Sequence, residues 1–162
     1  MKRIGASLVV VAAACAAATL VHAQTGPTPY GPAINLDSAK KVAAASAAEA
    51  RKNNWPVVIA VVDTHGELVY LERLDNTQVA SIKIAEGKAR TAARFKRPSK
   101  ALQDALAGGG AGMRILALEG AVAVEGGVPL MANGAIIGAV GVSGVTSEQD
   151  AQVATAGAAA MK

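Results

Sequence analysis

Apolar residues recur at helical spacing in two long segments of the chain. The first segment begins at Asn35 or Asp37, either of which can cap a helix, and runs to about Asn53. The second segment, Val79–Phe95, ends shortly before a proline, which cannot continue a helix. The pattern therefore predicts two amphipathic helices, each with one apolar face turned towards a core.

Two further helices are predicted mainly from their caps. Ser99 is a candidate cap for a short helix over Lys100–Ala107. Thr146, with Gln149 three residues later, fits a capping box at the start of the last helix. Between these helices Ile115–Val124 is apolar without a clear period, and we expect a strand in its second half.

The first pair of predicted strands lies between the two long helices. Val57–Val62 is a continuous apolar run, which is typical of a strand buried on both faces. Thr64-His65-Gly66 is a turn signal, and a second strand over Glu67–Leu74 closes the hairpin.

A second hairpin precedes the last helix. Asn133-Gly134 separates the apolar runs Val128–Ala132 and Ala135–Ser143, and an Asn-Gly pair in this position is a strong hairpin signal. Two hairpins separated by helices predict an α+β fold with a largely antiparallel sheet. We expect the strand that ends at Asp63 to lie centrally, beside Ala135–Ser143.

The N-terminus predicts a secretory signal peptide over residues 1–23. Lys2 and Arg3 precede an apolar stretch, Ile4–Val21, and Val21-His22-Ala23 forms a small-residue cleavage site. We therefore expect a periplasmic or secreted protein that is cleaved near Ala23 and keeps no membrane span. Residues 24–34, rich in Pro and Gly, are expected to form a flexible arm before a single domain over residues 35–162.

The cysteine count and the net charge argue against thiolate metal sites and against a nucleic-acid partner. The only cysteine, Cys15, lies in the predicted signal peptide, so the mature chain holds neither disulfides nor thiolate metal sites. The net charge of +4 falls to +2 when Lys2 and Arg3 are removed, which is too mild to indicate a nucleic-acid partner. Lys and Arg cluster over Lys83–Lys100, and this cluster is either one solvated helix face or an anion-facing patch.

No common catalytic signature is present, and the glycines do not form a phosphate loop. Gly138, Gly141 and Gly144 are spaced by threes in and after a predicted strand. This spacing indicates close packing of a helix on the sheet.

His65 is the only histidine that remains after signal cleavage. It is either a simple turn residue or the sole imidazole available to haem iron or a transition metal. A metal site built from several histidines is excluded. Other side chains could still serve as axial haem ligands, namely Tyr30, Tyr70, Met113 and Met131.

Four charged residues are further candidates for binding or catalysis. Arg73 belongs either to a charge pair on an edge strand or to a charged rim around a pocket, where it could clamp a carboxylate. Arg114 is either a surface arginine or a clamp for a carboxylate such as a haem propionate, because a planar guanidinium suits that geometry. Glu148 and Asp150 lie in the first turn of the last helix, where they stabilise the helix dipole, bind a cation, or serve as acid and base.

Taken together, several motifs closely resemble the GlcG/HbpS-like haem-binding family. The resemblance covers about Asn35 to Lys162 and rests on the following segments: Ile59–Asp63 with Gly66, Leu68 and Val69; Glu72–Asp75; Lys88-Ala89-x-Thr91-Ala92; Gly126–Leu130; Gly138–Gly144; and Glu148–Asp150. It implies a profilin-like α+β fold with an antiparallel sheet of about five strands flanked by helices. It also implies homo-oligomers and an extracytoplasmic haem-binding role.

Three hypotheses follow. The first is an exported haem or tetrapyrrole binder for sequestration or sensing, with His65, Arg73 and Arg114 as binding residues. The second is an enzyme of lyase or isomerase type that acts on a hydroxy acid or another small carboxylate, with Arg73, Glu148 and Asp150 at its site. The third is an assembly module without a ligand.

Overall fold

The computed structural model describes residues 27–161, so the predicted signal peptide lies outside the described residues. Within this range the elements are, in chain order, α1 (Leu36–Lys52), β1 (Val58–Val62), β2 (Leu68–Arg73), α2 (Ser81–Arg94), α3 (Ser99–Ala107), a 3-10 helix (Gly110–Ala117), β3 (Gly127–Ala132), β4 (Ala135–Ser143) and α4 (Ser147–Ala159). None of the helices described is both long and apolar enough to cross a membrane.

The four strands form one antiparallel sheet in the order β2-β1-β4-β3. The predicted α+β class is confirmed, and β1 pairs with β4 as expected, with Val58 opposite Ser143. The β3–β4 turn is also as predicted, because Asn133 and Gly134 both have positive φ, 49° and 76°. The sheet described has four strands, however, and not about five.

The missing strand is the one expected in the second half of Ile115–Val124. This segment begins in the 3-10 helix and continues as an irregular loop. Its backbone N–H groups find partners outside a sheet: Val122 donates to Thr91 Oγ1 at 2.8 Å, and Leu118 and Ala121 donate to the carbonyls of Ile115 and Leu118. These acceptors satisfy the three N–H groups without a sheet ladder.

Ser99 does not cap α3, and that prediction is wrong. Pro98 occupies the N-cap position without a side-chain bond, and Ser99 is the first helical residue. The buried Ser99 hydroxyl instead donates to the Val124 carbonyl at 2.7 Å and accepts from the Gly127 N–H at 2.8 Å. It therefore joins α3 to the start of β3. The capping box of Thr146 and Gln149 on α4 is confirmed.

Helices cover both faces of the sheet. The side chains of β1 alternate: Ile59 and Val61 belong to the cluster that contains α1 and α4, whereas Val58 and Ala60 pack with α2. Gly141 in β4 allows α2 to approach, since a Cβ there would lie 2.2 Å from the Ala85 carbonyl oxygen. Added Cβ atoms at Gly138 and Gly144 would instead meet the carbonyl oxygens of Val62 and Pro56, so close helix packing explains only the middle glycine.

Residues 30–34 lie along the beginning of β4. Tyr30 forms a parallel bridge with Ile136, and the buried Ile34 donates its N–H to the Ile137 carbonyl at 2.8 Å. The Tyr30 hydroxyl donates to the Ala93 carbonyl at 2.9 Å, and the Lys96 ammonium lies 4.1 Å from the centre of the Tyr30 ring. These contacts attach the segment before α1 to the C-terminal end of α2.

Candidate functional site

A buried ion pair links helices on opposite faces of the sheet. Lys88 of α2 donates from Nζ to Asp150 Oδ2 of α4 at 2.7 Å, and the two side chains are 2% and 3% exposed. Asp150 Oδ1 also accepts the Val145 N–H at 3.2 Å. Burial raises the pKa of the Asp150 carboxyl, while Lys88 and the backbone N–H groups of Val145 and Gly144 act in the opposite direction.

The glycines that begin β3 make room for this pair. A Cβ at Gly126 would lie 2.9 Å from Lys88 Nζ and 3.0 Å from Asp150 Cβ. A Cβ at Gly127 would lie 2.2 Å from the Lys88 carbonyl oxygen. Three of the sequence motifs, around Lys88, Gly126 and Asp150, therefore meet at one place, which we call the buried junction (Lys88, Gly126, Gly127 and Asp150).

The buried junction is a structural feature and offers no open acid–base site. Both ionised side chains are almost completely enclosed and satisfy each other. Glu148, two residues before Asp150, is exposed in the first turn of α4. The two carboxylates predicted to act together therefore lie in different environments, one enclosed and one in solvent.

Arg73 lines an open polar pocket of about 570 Å³ at the start of β1. Its Nη2 donates to the Thr77 carbonyl at 2.6 Å, and the neighbouring Arg51 and Glu72 form an ion pair at 2.9 Å. Neither Glu148 nor Asp150 lines this pocket. The structure does not bring the residues of the enzyme hypothesis together and does not favour it.

His65 lies in the exposed β1–β2 turn, as predicted. Asp63 Oδ1 accepts the N–H groups of His65 and Glu67 at 2.8 and 2.9 Å, which fixes the turn. The imidazole is 83% exposed, and its Nδ1 lies 3.4 Å from Thr64 Oγ1 and 3.9 Å from Asp63 Oδ2. The His65 carbonyl accepts from Arg94 Nε at 2.6 Å, so the turn is attached to the last turn of α2.

Arg114 lines a groove of about 420 Å³ between the end of α2, α3 and the 3-10 helix, which we call the α3 groove. Two arginines, Arg97 and Arg114, are its charged members. The rest of the lining is Gly112 and six apolar side chains: Phe95, Ala101, Leu102, Ala105, Ile115 and Leu118. The groove thus combines an apolar floor with two guanidinium groups.

A second, more basic depression of about 730 Å³ adjoins the α3 groove and shares Phe95, Arg97 and Ala101 with it. Arg94 and Lys96 are its other cations. This arrangement supports the alternative that part of the Lys83–Lys100 cluster faces an anion.

The candidate binding residues lie at two ends of the molecule. The His65 turn and the α3 groove both contact the C-terminal end of α2. Arg73 pairs with Val58 at the start of β1, whereas His65 follows the end of β1. Arg73 is therefore separated from His65 by the length of the hairpin.

Sequence reasoning missed the burial of Lys88 and the groove position of Phe95, whereas Arg97 belongs to the Lys83–Lys100 cluster, one interpretation of which is an anion-facing patch. Lys88 carried a signal, because it falls on the stripe of α2 that includes Ser81, Ala85 and Ala92, all of them buried. A lysine on such a stripe needs a buried partner. Phe95 had no local signal, because its groove is completed by residues of the 3-10 helix.

Comparisons with known proteins place the chain in a family. Residues 34–159 match the protein family described as "Haem degrading protein HbpS-like". Among relatives, Protein GlcG of Escherichia coli K12 is 45% identical over 110 residues, which cover 68% of this chain and 81% of GlcG.

Within residues 27–161, no group of three or more His, Cys, Asp or Glu side chains is placed to hold a metal ion.

Two solved structures agree with this match. A double mutant of HbpS from Streptomyces reticuli has a TM-score of 0.76 at 32% identity and covers 90% of this chain and 99% of its own. A complex of PduOC with haem has a TM-score of 0.71 at 29% identity and covers 79% of this chain and 94% of its own. Because residues 34–159 match the family and GlcG is 45% identical over 81% of its own length, the chain belongs to the GlcG/HbpS-like family.

Proposed function

We propose that this protein binds haem in the α3 groove. The observation that carries the proposal is the combination of an apolar lining with two arginines, in a member of a family that includes a protein solved with haem. Haem has the matching chemistry, since it is a flat apolar ring that carries two carboxylates on one edge. When bound, it would supply iron redox chemistry, while the residues of the groove bind and orient the ring.

The apolar part of the groove suits the face of the ring. Its volume of about 420 Å³ lies within the usual range of ligand pockets. Phe95, the only phenylalanine of the chain, offers an aromatic surface for stacking. Leu102, Ile115 and Leu118 surround it with aliphatic side chains.

The two arginines suit the propionates. Within the described part of the chain, neither Arg97 nor Arg114 forms an ion pair. Arg97 donates from Nε to the Phe95 carbonyl at 3.0 Å, so its remaining N–H groups are available to a carboxylate. Charge-assisted bonds of this kind are the strong class of hydrogen bond.

The roles predicted for His65 and Arg73 remain predictions. The α3 groove includes neither residue. We retain His65 as the imidazole to test for contact with iron, because its turn contacts the same end of α2 as the groove.

The proposal is tested by titrating the mature chain with hemin and following the Soret absorbance. We expect a saturable band, and Arg114→Gln should weaken binding by about tenfold because one charge-assisted contact is lost. Lys40→Gln is the matched control, since it removes a positive charge from an exposed position of α1, which lies on the face of the sheet opposite α2. Absence of a saturable band, or equal losses in both variants, would contradict the proposal.

We further propose that the protein is exported, that it forms homo-oligomers with a profilin-like fold, and that haem binding serves sequestration or sensing. Cell fractionation with N-terminal sequencing tests export, with a mature N-terminus at Gln24 expected. Light scattering tests self-association, and a monomer at all concentrations would exclude it. If deleting the gene removes protection of growth against haem, the protein sequesters haem. If the deletion instead removes haem-dependent transcription, the protein senses haem.

A further inference from the structure

We infer that the α3 groove recognises the ring and carboxylates of a tetrapyrrole and not its metal, so that it also binds metal-free porphyrins with two carboxylates. This inference rests on the proposed function, because it concerns the same groove. It extends the proposal from haem to a wider ligand class.

The first observation is the chemistry of the lining. The groove has nine described lining residues, and none of them is a His, Cys, Met, Tyr, Asp or Glu. Its polar side chains are two arginines, whose guanidinium groups are hydrogen-bond donors only and offer no acceptor atom to a metal. The lining thus offers contacts to an apolar ring and to anions, but no side chain that binds iron.

The second observation concerns the nearest methionine. Gly112, Ile115 and Leu118 line the groove at three-residue spacing, which is the period of a 3-10 helix. Met113 follows Gly112 but is not part of the lining, and it is 51% exposed. The thioether of Met113 is therefore not part of the groove lining.

The third observation concerns the other candidate ligands near the end of α2. The Tyr30 hydroxyl donates to the carbonyls of Ala93 and Arg94 at 2.9 and 3.2 Å. The imidazole of His65 is exposed in solvent, with Nδ1 beside Thr64 and Asp63 of its own turn. Both side chains therefore have local contacts outside the α3 groove.

A binding free energy that comes from apolar burial and carboxylate contacts is nearly the same with or without iron. We therefore expect protoporphyrin IX to bind within about threefold of hemin. Its dimethyl ester keeps the ring but loses both charges, and it should bind at least about tenfold more weakly.

The experiment compares these three porphyrins on the mature chain, using porphyrin fluorescence and Soret absorbance. A matched pair of variants separates the groove from other apolar surface. Leu118→Glu puts a carboxylate in the groove, whereas Leu116→Glu puts one on the same 3-10 helix at a residue that is 68% exposed and does not line the groove. Leu118→Glu should weaken the binding of hemin and of protoporphyrin IX by equal factors, and Leu116→Glu should change the binding of neither.

The possible results separate this inference from the proposed function. If hemin binds and protoporphyrin IX binds more than about thirtyfold more weakly, an iron contact carries the affinity and the inference is overturned while haem binding stands. Equal binding of the dimethyl ester would overturn carboxylate recognition. If neither hemin nor protoporphyrin IX binds saturably, the proposed function itself fails.

Discussion

Replacing Lys88 by methionine should destabilise the fold strongly, because it leaves the Asp150 carboxylate buried without its counter-ion. The Lys88 and Asp150 side chains are 2% and 3% exposed, and their charged atoms are 2.7 Å apart. Removing one partner of such a pair typically costs about 3–5 kcal/mol. The Val145 N–H still donates to Asp150 Oδ1, and methionine fills much of the space of the lysine stem. We therefore expect the lower end of the range, about 3 kcal/mol.

The double variant Lys88→Met/Asp150→Leu should be more stable than Lys88→Met alone. It removes both buried charges and keeps apolar volume at both positions, a replacement that is often neutral or stabilising. The Val145 N–H loses its acceptor, which costs about 1–3 kcal/mol and partly offsets this gain. The interaction energy of the double-mutant cycle should then be at least about 2 kcal/mol.

The assay is urea unfolding at neutral pH, followed by circular dichroism. Lys100 and Asp104 provide a matched control, because they form the same type of ion pair at 2.8 Å with both side chains about half exposed. The corresponding cycle at this exposed pair should give a much smaller interaction energy. Equal interaction energies at the two sites would refute the argument that burial makes the Lys88–Asp150 pair important.

Three further predictions follow from the packing. In Lys88→Met the pKa of Asp150 should rise further above its ordinary value of 3.8, so the folded state takes up a proton that the unfolded state does not bind as the pH falls. The loss of unfolding free energy relative to wild type should therefore shrink from neutral pH towards about pH 5 in urea titrations. A loss that stays constant with pH would contradict this. Gly141→Ala should cost about 3 kcal/mol because its Cβ meets the α2 backbone, whereas Gly108→Ala should leave the melting temperature nearly unchanged. Ser99→Ala should cost about 1–3 kcal/mol because the buried Gly127 N–H and the partly buried Val124 carbonyl lose their partner, and an unaltered urea midpoint would exclude this.

The parts of the fold that depend on local chemistry could be predicted from the sequence. The Asn133-Gly134 turn and the capping box of Thr146 and Gln149 are fixed by the conformational preferences of those residues. The strand expected in the second half of Ile115–Val124 could not be judged in this way. Whether that apolar segment pairs with a sheet depends on acceptors elsewhere in the chain, such as Thr91 Oγ1, which accepts the Val122 N–H from 31 positions away.

The candidate site depended still more on distant contacts. The chemistry of Arg114 makes it a candidate carboxylate clamp, but the groove that it lines is formed only when the 3-10 helix packs beside α3. The pairing of Lys88 with Asp150 joins residues 62 positions apart, and no periodicity within one element predicts such a partner. The sequence therefore presents Asp150 as a candidate base, although the fold encloses it.

The motifs that carry the family resemblance and the residues that line the α3 groove are two separate sets. The motifs around Lys88, Gly126 and Asp150 meet at the buried junction, and none of the quoted motifs supplies a groove residue. A resemblance of this kind transfers the fold more securely than the ligand, because the two depend on different side chains. Junction variants should accordingly lower stability, while groove variants such as Leu118→Glu lower porphyrin affinity with an unchanged urea midpoint. A groove variant that lost both properties together would show that this separation is wrong.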